Sequence, residues 1–260
     1  MTAPTVSHAA QQVAKLYADL HTYADDSFAR EYFLPGFRKH LAALGLNPDT
    51  ALRGCLFLDA GCGGYAGGLA IATASSVRRA TAIDLSFENA ASARRRYPDS
   101  GVSVQQGDLL SLPYASGVFD FVYCNGVLHH TVDPEGGFRE LVRVLASGGR
   151  LYVGVYGRGG VFNELFVPVA TLLGRLIPRR RTAQILRYVP ILLRPSSSLM
   201  DLMYAPIQHR YRPREIEVWF RSAGLRSTFL RHYYQDAGFW SRFLFGEGTM
   251  MFFTAVKEAA

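Results

Sequence analysis

Between Cys55 and Tyr156 the chain alternates five short apolar runs with helical stretches, and this alternation restricts the fold more than any other feature. Cys55-Leu-Phe-Leu-Asp-Ala60 is an apolar run stopped by glycines, which reads as a buried strand. A helix of small residues is predicted over Gly67–Ser75, and a second strand over Ala80–Asp84. Phe87–Arg96 reads as a helix that Tyr97-Pro98 ends, because the residue before proline avoids helical geometry. Val102–Gly107 and Phe119–Asn125 read as the third and fourth strands. A helix is predicted over Pro134–Leu145, with Asp133 as N-cap, proline at its first position and Gly148-Gly149 closing it; Leu151–Tyr156 is the fifth strand. Strands and helices at this spacing imply an α/β fold, a mostly parallel sheet with helices on both faces, and ligand-binding residues just after the strands.

The flanks read differently. Val6–Leu46 is predicted helical, with Val13, Leu16, Tyr17 and Leu20 on one buried stripe and Gly45 and Asn47-Pro48 ending it. After Tyr156, helical spacing resumes from Phe162 to Ile177, kinked at Pro168 and ended by Pro178-Arg-Arg-Arg181. A second helical piece is predicted over Thr182–Leu193, a loop over Pro195–Ser198, a helix over Pro213–Ala223 before Gly224, and strands over Ser227–Tyr234 and Thr249–Lys257. The expectation is one domain: N-terminal helices in 1–54, the strand-rich core in 55–156, an inserted helical cap in 157–212, and a C-terminal helix with a strand pair in 213–260.

Charge is concentrated in that cap. From Gly157 to Arg212 there are nine arginines against Glu164 and Asp201, a surplus equal to the whole chain's +7. Such a segment suits an anionic ligand, an acidic partner, a membrane face or simply a solvated helical surface. Cys55, Cys62 and Cys124 are too few and too scattered for a disulfide framework or a zinc site, so no metal is expected. Neither a leader peptide nor a spanning helix is expected, and the protein reads as cytoplasmic. The oligomeric state is open.

Three strand ends carry the chemistry. The first loop, Leu58-Asp-Ala-Gly61-Cys-Gly63-Gly64-Tyr-Ala-Gly67-Gly68, lets a ligand approach bare backbone. The second strand ends in Asp84, where a carboxylate can accept from ribose hydroxyls, and the third in Gly107-Asp108-Leu109, where an acid can meet an adenine amino group beside an apolar residue. Together they describe an adenosine-containing cofactor. Gly61-x-Gly63-x-x-Ala66 also satisfies the dinucleotide fingerprint, so an NAD(P)-dependent oxidoreductase is a rival. Against it, no Tyr-x-x-x-Lys pair follows, and the three lysines, Lys15, Lys39 and Lys257, lie away from core strand ends.

From Leu58 to Tyr156, about a hundred residues, the chain resembles the class I, type 11 group of S-adenosylmethionine-dependent methyltransferases. The resemblance rests on Leu58-Asp-Ala-Gly-Cys-Gly63, Ile83-Asp-Leu-Ser86, Gln106-Gly-Asp-Leu109, Leu112-Pro113, Phe119-Asp120, Gly126-Val-Leu-His-His130, Phe138–Leu145 and Gly148-Gly-Arg-Leu151. It departs at Tyr65, usually glycine in that group, and at Ser147, usually proline. The resemblance implies a Rossmann-like fold and S-adenosylmethionine as cofactor. It implies that Asp59, Gly61 and Gly63 cradle the methionyl end, and that Asp84 holds the ribose with Leu85 against the adenine. It further implies that Asp108 meets the adenine amino group beside Leu109, and that Asn125 faces the sulfonium and the acceptor. Asp120, inside a strand, reads instead as a structural cap or partner.

Methyl transfer from a sulfonium needs alignment and water exclusion, and a base only where the nucleophile holds its proton. His129 and His130, after the fourth strand, are the candidate bases; His209 and Tyr211, at the end of the cap, are candidate substrate-binding residues. The cap's apolar face suggests a small-molecule acceptor with a hydrophobic body, and its arginines an anionic group on it. An RNA methyltransferase using the basic cap, a lipid-like acceptor reached by peripheral membrane contact, and a cofactor-binding protein without catalysis are the alternatives.

Overall fold

The computed structural model describes residues 7–21, 29–98, 101–179, 181–182, 201–230, 243–244 and 250–258. Strands β1 (Leu56–Ala60), β2 (Arg79–Asp84), β3 (Val102–Gln106), β4 (Phe119–Asn125), β5 (Leu145–Tyr156), β6 (Thr228–Leu230) and β7 (Met250–Val256) form one sheet in the order β3-β2-β1-β4-β5-β7-β6. The first five pair in parallel; β7 runs antiparallel to both β5 and β6. The order reverses between β1 and β4, so the crevice at their carboxyl ends is the natural ligand site.

Alternation along each strand sorts the core onto two faces. Phe57, Phe121, Tyr123, Tyr152 and Phe252 meet α2 (Leu34–Ala43), α3 (Gly67–Ala74) and α4 (Phe87–Arg96). Their sequence neighbours Leu58, Val122, Val153 and Phe253 meet α5 (Pro134–Val144) and α7 (Pro213–Ser222) on the other side. The helix starts follow from local chemistry: Ser86 Oγ accepts from Asn89 N to cap α4, and Asp133 accepts from Gly136 N to cap α5, with Pro134 at its first position.

One expectation is revised. Strand β5 begins at Leu145, which pairs with Phe119 before a register shift at Phe121, so Gly148-Gly149 lies inside an irregular strand rather than closing α5. Gly148 (φ +75°) turns its N–H onto the carbonyl of Lys257, an arrangement that favours glycine. At Pro168 a π-helical turn over Phe162–Phe166 hands over to α6 (Val167–Leu176), with the proline in the first turn of α6. At the N-terminus lies α1 (His8–His21), and a π-helical turn, Ala29–Phe33, leads into α2. Residues 201–204 are helical. Beyond Thr182, the helix expected to Leu193 and the loop over Pro195–Ser198 lie outside the described residues, as do the expected strand beyond Leu230 and Arg180, Arg187 and Arg194.

Candidate active site

One cavity of about 970 Å³ opens over the carboxyl ends of β1, β2, β3 and β4. It passes from the glycine loop to a wall built by α1, α2 and residue 201, and its two ends differ in chemistry.

At the polar end, Asp59 is buried and its carboxylate accepts from Leu69 N at 3.0 Å. Burial pushes its pKa up to about 7, against the opposing pull of the Leu69 and Gly68 N–H groups, while Asp84 adds to the rise. Gly61 has φ +81°, and a Cβ there would stand 2.5 Å from Val127; one on Gly68 would stand 2.3 Å from the Asp59 carboxyl carbon. The loop is pinned by Gly61 N and Cys62 N, which both donate to the Ile83 carbonyl.

Asp84 ends β2 with Oδ1 accepting from Ser86 N (2.9 Å) and Asn89 Nδ2 (3.3 Å), and Oδ2 from Gly63 N (2.8 Å). Burial raises its pKa while the Ser86 and Gly63 N–H groups oppose the rise. A carboxylate has about four acceptor positions, so one remains for a ribose hydroxyl. Asp108 accepts from Leu110 N at 2.9 Å, which aims its carboxyl from the end of β3, and Leu85 and Leu109 line the same region.

At the end of β4, Asn125 Nδ2 donates to Tyr123 Oη at 2.9 Å, whereas Asn125 Oδ1 is buried without a hydrogen-bond partner among the described residues. Gly154 opposite has no room for a Cβ, which would fall 2.2 Å from that oxygen. Asn125 lines the cavity, but this oxygen is turned against Gly154 of β5. Backbone cradle, ribose carboxylate and adenine-side acid fit S-adenosylmethionine part by part.

The comparisons with known proteins agree. A family model described as "Methyltransferase domain" matches residues 58–153. The ubiquinone biosynthesis O-methyltransferase of Xylella fastidiosa is 30% identical over 232 residues, covering 85% of this chain and 83% of that protein. The chain belongs to the S-adenosylmethionine-dependent methyltransferases. Three other curated relatives are spanned for 26%, 63% and 64% of their own length. Among solved structures, an S-adenosylmethionine-dependent methyltransferase of Mesorhizobium loti is 18% identical with a TM-score of 0.55, covering 85% of this chain and 99% of that one. The [4+2]-cyclase SpnF is 19% identical with a TM-score of 0.52, covering 86% and 81%. At these identities the likeness is one of fold. The antiparallel β7 between β5 and β6 also separates this methyltransferase sheet from the all-parallel 3-2-1-4-5-6 order of dinucleotide-binding domains.

The structure brings Asp59, Gly61, Gly63, Asp84, Leu85, Asp108, Leu109, Asn125 and His130 to one cavity. His129 is not among its lining residues. It is fully buried, its Nδ1 accepts from Tyr156 N at 3.3 Å, and burial followed by His130, Arg210 and His209 drives its pKa well below the usual histidine value. His209 and Tyr211 also lie off the cavity: His209 N donates to the His129 carbonyl, and Tyr211 packs on Trp219 with ring centres 4.9 Å apart. Asp120 accepts from Leu56 N, joining β4 to the start of β1.

Sequence reasoning missed the far wall of this methyltransferase cavity. Phe37, His40, Tyr152, Met250 and Phe252 form an aromatic floor, with His40 Nδ1 2.7 Å from Tyr152 Oη and the Tyr123 and Tyr152 rings stacked 5.1 Å apart. Tyr17, Tyr156 and Asp201 line the wall beside His130. A signal existed for two of them: Tyr17 interrupts an aliphatic stripe with a hydroxyl, and Asp201 is one of two acids in an arginine-rich segment.

Proposed function

We propose that the protein methylates a hydroxyl on a small molecule with an apolar, ring-containing body. The observation that carries this reading is a single cavity with a glycine-and-carboxylate end and an aromatic end, joined at Asn125. S-adenosylmethionine, when bound, supplies a methyl group already activated on sulfur. The chain's part is placement: Asp84 and Asp108 hold the nucleoside half, Asn125 stands beside the positive centre, and Phe37, Tyr152 and Phe252 pack the acceptor's body and exclude water.

The named activity of the Xylella relative, an O-methyltransferase of ubiquinone biosynthesis, supports a hydroxyl acceptor. Among the described residues Lys39 is the one lysine or arginine lining the cavity, which favours a neutral acceptor over an anionic one and over nucleic acid. None of the described helices is long and apolar enough to cross a membrane, and no three described His, Cys, Asp or Glu residues are grouped to hold a metal.

Calorimetric titration with S-adenosylmethionine, S-adenosylhomocysteine and NADH tests the cofactor. The first two are expected to bind, and Asp84→Ala to weaken them roughly 30- to 150-fold, because losing a carboxylate that organises Gly63, Ser86 and a ribose hydroxyl costs about 2–3 kcal/mol. Binding of NADH alone would refute the reading. Transfer of a labelled methyl group to a panel of phenols, carboxylic acids and RNA tests the acceptor: label in a phenol supports it, label in RNA refutes it.

A further inference from the structure

Helix α6 and the π-helical turn before it turn their small residues inward and their large apolar ones outward. Val167 and Ala170 are buried, Thr171 Oγ1 donates to the Leu202 carbonyl at 2.9 Å, and a Cβ on Gly174 would fall 2.1 Å from the Met203 carbonyl oxygen. The helix backbone therefore rests directly on residues 201–204, and this contact fixes which face points out. On that outer face Leu165 (64%), Phe166, Val169, Leu172 (54%), Leu173 and Leu176 (71%) are exposed. Leu165, Val169, Leu172 and Leu176 fall at i, i+4, i+7 and i+11, so they make one stripe. A lone exposed leucine is ordinary, but a contiguous stripe marks a contact surface. Leu244 widens it, lining with Val161, Leu165, Phe166 and Val169 a shallow apolar recess of about 360 Å³.

The basic surplus lies at one end of this stripe. Glu164 is the one acid from Gly157 to Met200. It is engaged by Arg158 at 3.5 Å and accepts from Gly159 N at 3.1 Å. Arg179 pairs with Asp19 of α1. Arg175 and Arg181 are exposed and have no acidic partner among the described residues. From Leu165 to Leu176 the stripe runs about 16 Å at the rise of a helix, roughly half the thickness of a bilayer's hydrocarbon core. An element of that length lies on a membrane and does not cross it.

We propose that this face docks on an anionic lipid bilayer, with the helix axis along the surface, the leucines among the acyl chains and Arg175 and Arg181 at the headgroup phosphates. Docking of this kind stands independently of methyl transfer. Charge and apolarity together select the occupant. Nucleic acid would satisfy the arginines and leave the leucines in water. A second copy of this chain would cover the leucines but bring no free acid from the same face, since Glu164 is engaged. An anionic bilayer meets both needs. Residues 201–204, on which α6 rests, include Asp201 of the cavity wall, so the docked face and the acceptor end of the cavity share one segment.

The test is co-sedimentation of the full chain with vesicles, without cofactor. One set of vesicles is an equimolar mixture of phosphatidylcholine and phosphatidylglycerol, and the other is phosphatidylcholine alone. The mixed vesicles are expected to bind the protein at least roughly tenfold more tightly than the neutral ones, the contribution of two arginines near an anionic surface. Leu172→Glu with Leu176→Glu is expected to abolish binding to both, with the urea midpoint unchanged because both positions are exposed. Arg175→Gln with Arg181→Gln is expected to weaken binding to the mixed vesicles by roughly 10- to 30-fold and to leave binding to neutral ones as it was. That pair decides the matter if the glutamate pair does not fold. No binding to mixed vesicles, equal binding to both kinds, or binding that survives the glutamate pair overturns the proposal. A concentration-dependent dimer that forms without vesicles and is dissolved by the glutamate pair also overturns it, because the face then belongs to a second copy. Failure to bind S-adenosylmethionine would refute the methyltransferase reading and leave the vesicle result standing.

Discussion

Replacing Asp59 by asparagine is expected to make the apo-protein more stable above neutral pH, although the residue belongs to the cofactor loop. Asp59 is 2% exposed, and its pKa rises from an ordinary 3.8 to about 7 on folding. Below about pH 4 the carboxyl is protonated in both states and contributes nothing to the pH dependence. Between pH 4 and 7 the unfolded chain ionises it and the folded chain holds the proton, so stability falls as pH rises. Three units at ~1.4 kcal/mol each give a loss of ~4 kcal/mol, complete above pH 7. Asparagine mimics the protonated acid: its Oδ1 can still accept from Leu69 N, and it cannot ionise. Wild type and Asp59→Asn should therefore match within ~1 kcal/mol at pH 4 and diverge by ~2–4 kcal/mol in the variant's favour at pH 8. Urea denaturation of both proteins at half-unit pH steps, without cofactor, reads the difference, and every other titrating group cancels in it to first order. Parallel curves, or a variant less stable at pH 8, would refute the account of Asp59 as a buried carboxyl held against its preference. The expected gain also marks the acid as kept for binding rather than for folding.

Two further substitutions test the site and the core. Gly61→Ala should abolish measurable S-adenosylmethionine binding, because φ +81° strains alanine and its Cβ would lie 2.5 Å from Val127; adding Val127→Ala should recover part of the affinity in the same calorimetric titration, by removing the clash and leaving the strain. Phe138→Ala should lower stability by ~3–5 kcal/mol, because Phe138 is 1% exposed and packs on Phe220 with ring centres 4.8 Å apart between α5 and α7. A denaturant midpoint unchanged by that substitution would mean the second face of the sheet is not the packed core described.

Most of the sheet was legible because the inner parallel strands β1, β2 and β4 are short, largely buried runs that end in residues of a distinct chemistry. Phe119–Asn125 ends at the bounds expected of it, and Phe87–Arg96 is stopped by Tyr97-Pro98 as expected. The misreadings fall where tertiary pairing overrides local chemistry. Gly148-Gly149 looks like a helix stop, yet Leu145 is already paired with Phe119, so the glycines become an irregular stretch of β5. That pairing is not written in the few residues around the glycines.

The same reasoning explains why half of the candidate site was legible. Asp59, Asp84, Asp108 and Asn125 each end a strand, and adjacent parallel strands bring their ends together, so sequence order alone assembles them. The wall opposite obeys no such rule. His130 is joined to Tyr17 across 113 residues and to Ile207 across 77, by helices whose docking on the sheet has no local signature. Proximity in sequence misled in a related way. His129 and His130 are neighbours after β4, but only His130 lines the cavity, because the short 3-10 turn Leu128–His130 sends the His129 side chain under Tyr156, with ring centres 3.8 Å apart. His209 and Tyr211 follow Asp201 by eight and ten residues, yet backbone bonds to His129 and Tyr156 hold them on the outer side of that layer. The part of the cavity proposed to hold adenosine is thus fixed by strand order, whereas the part proposed to select the acceptor is fixed by packing between segments far apart in sequence. Substitutions that change acceptor choice while leaving cofactor affinity intact are accordingly expected on α1, on α2 and around residue 201, rather than at any strand end.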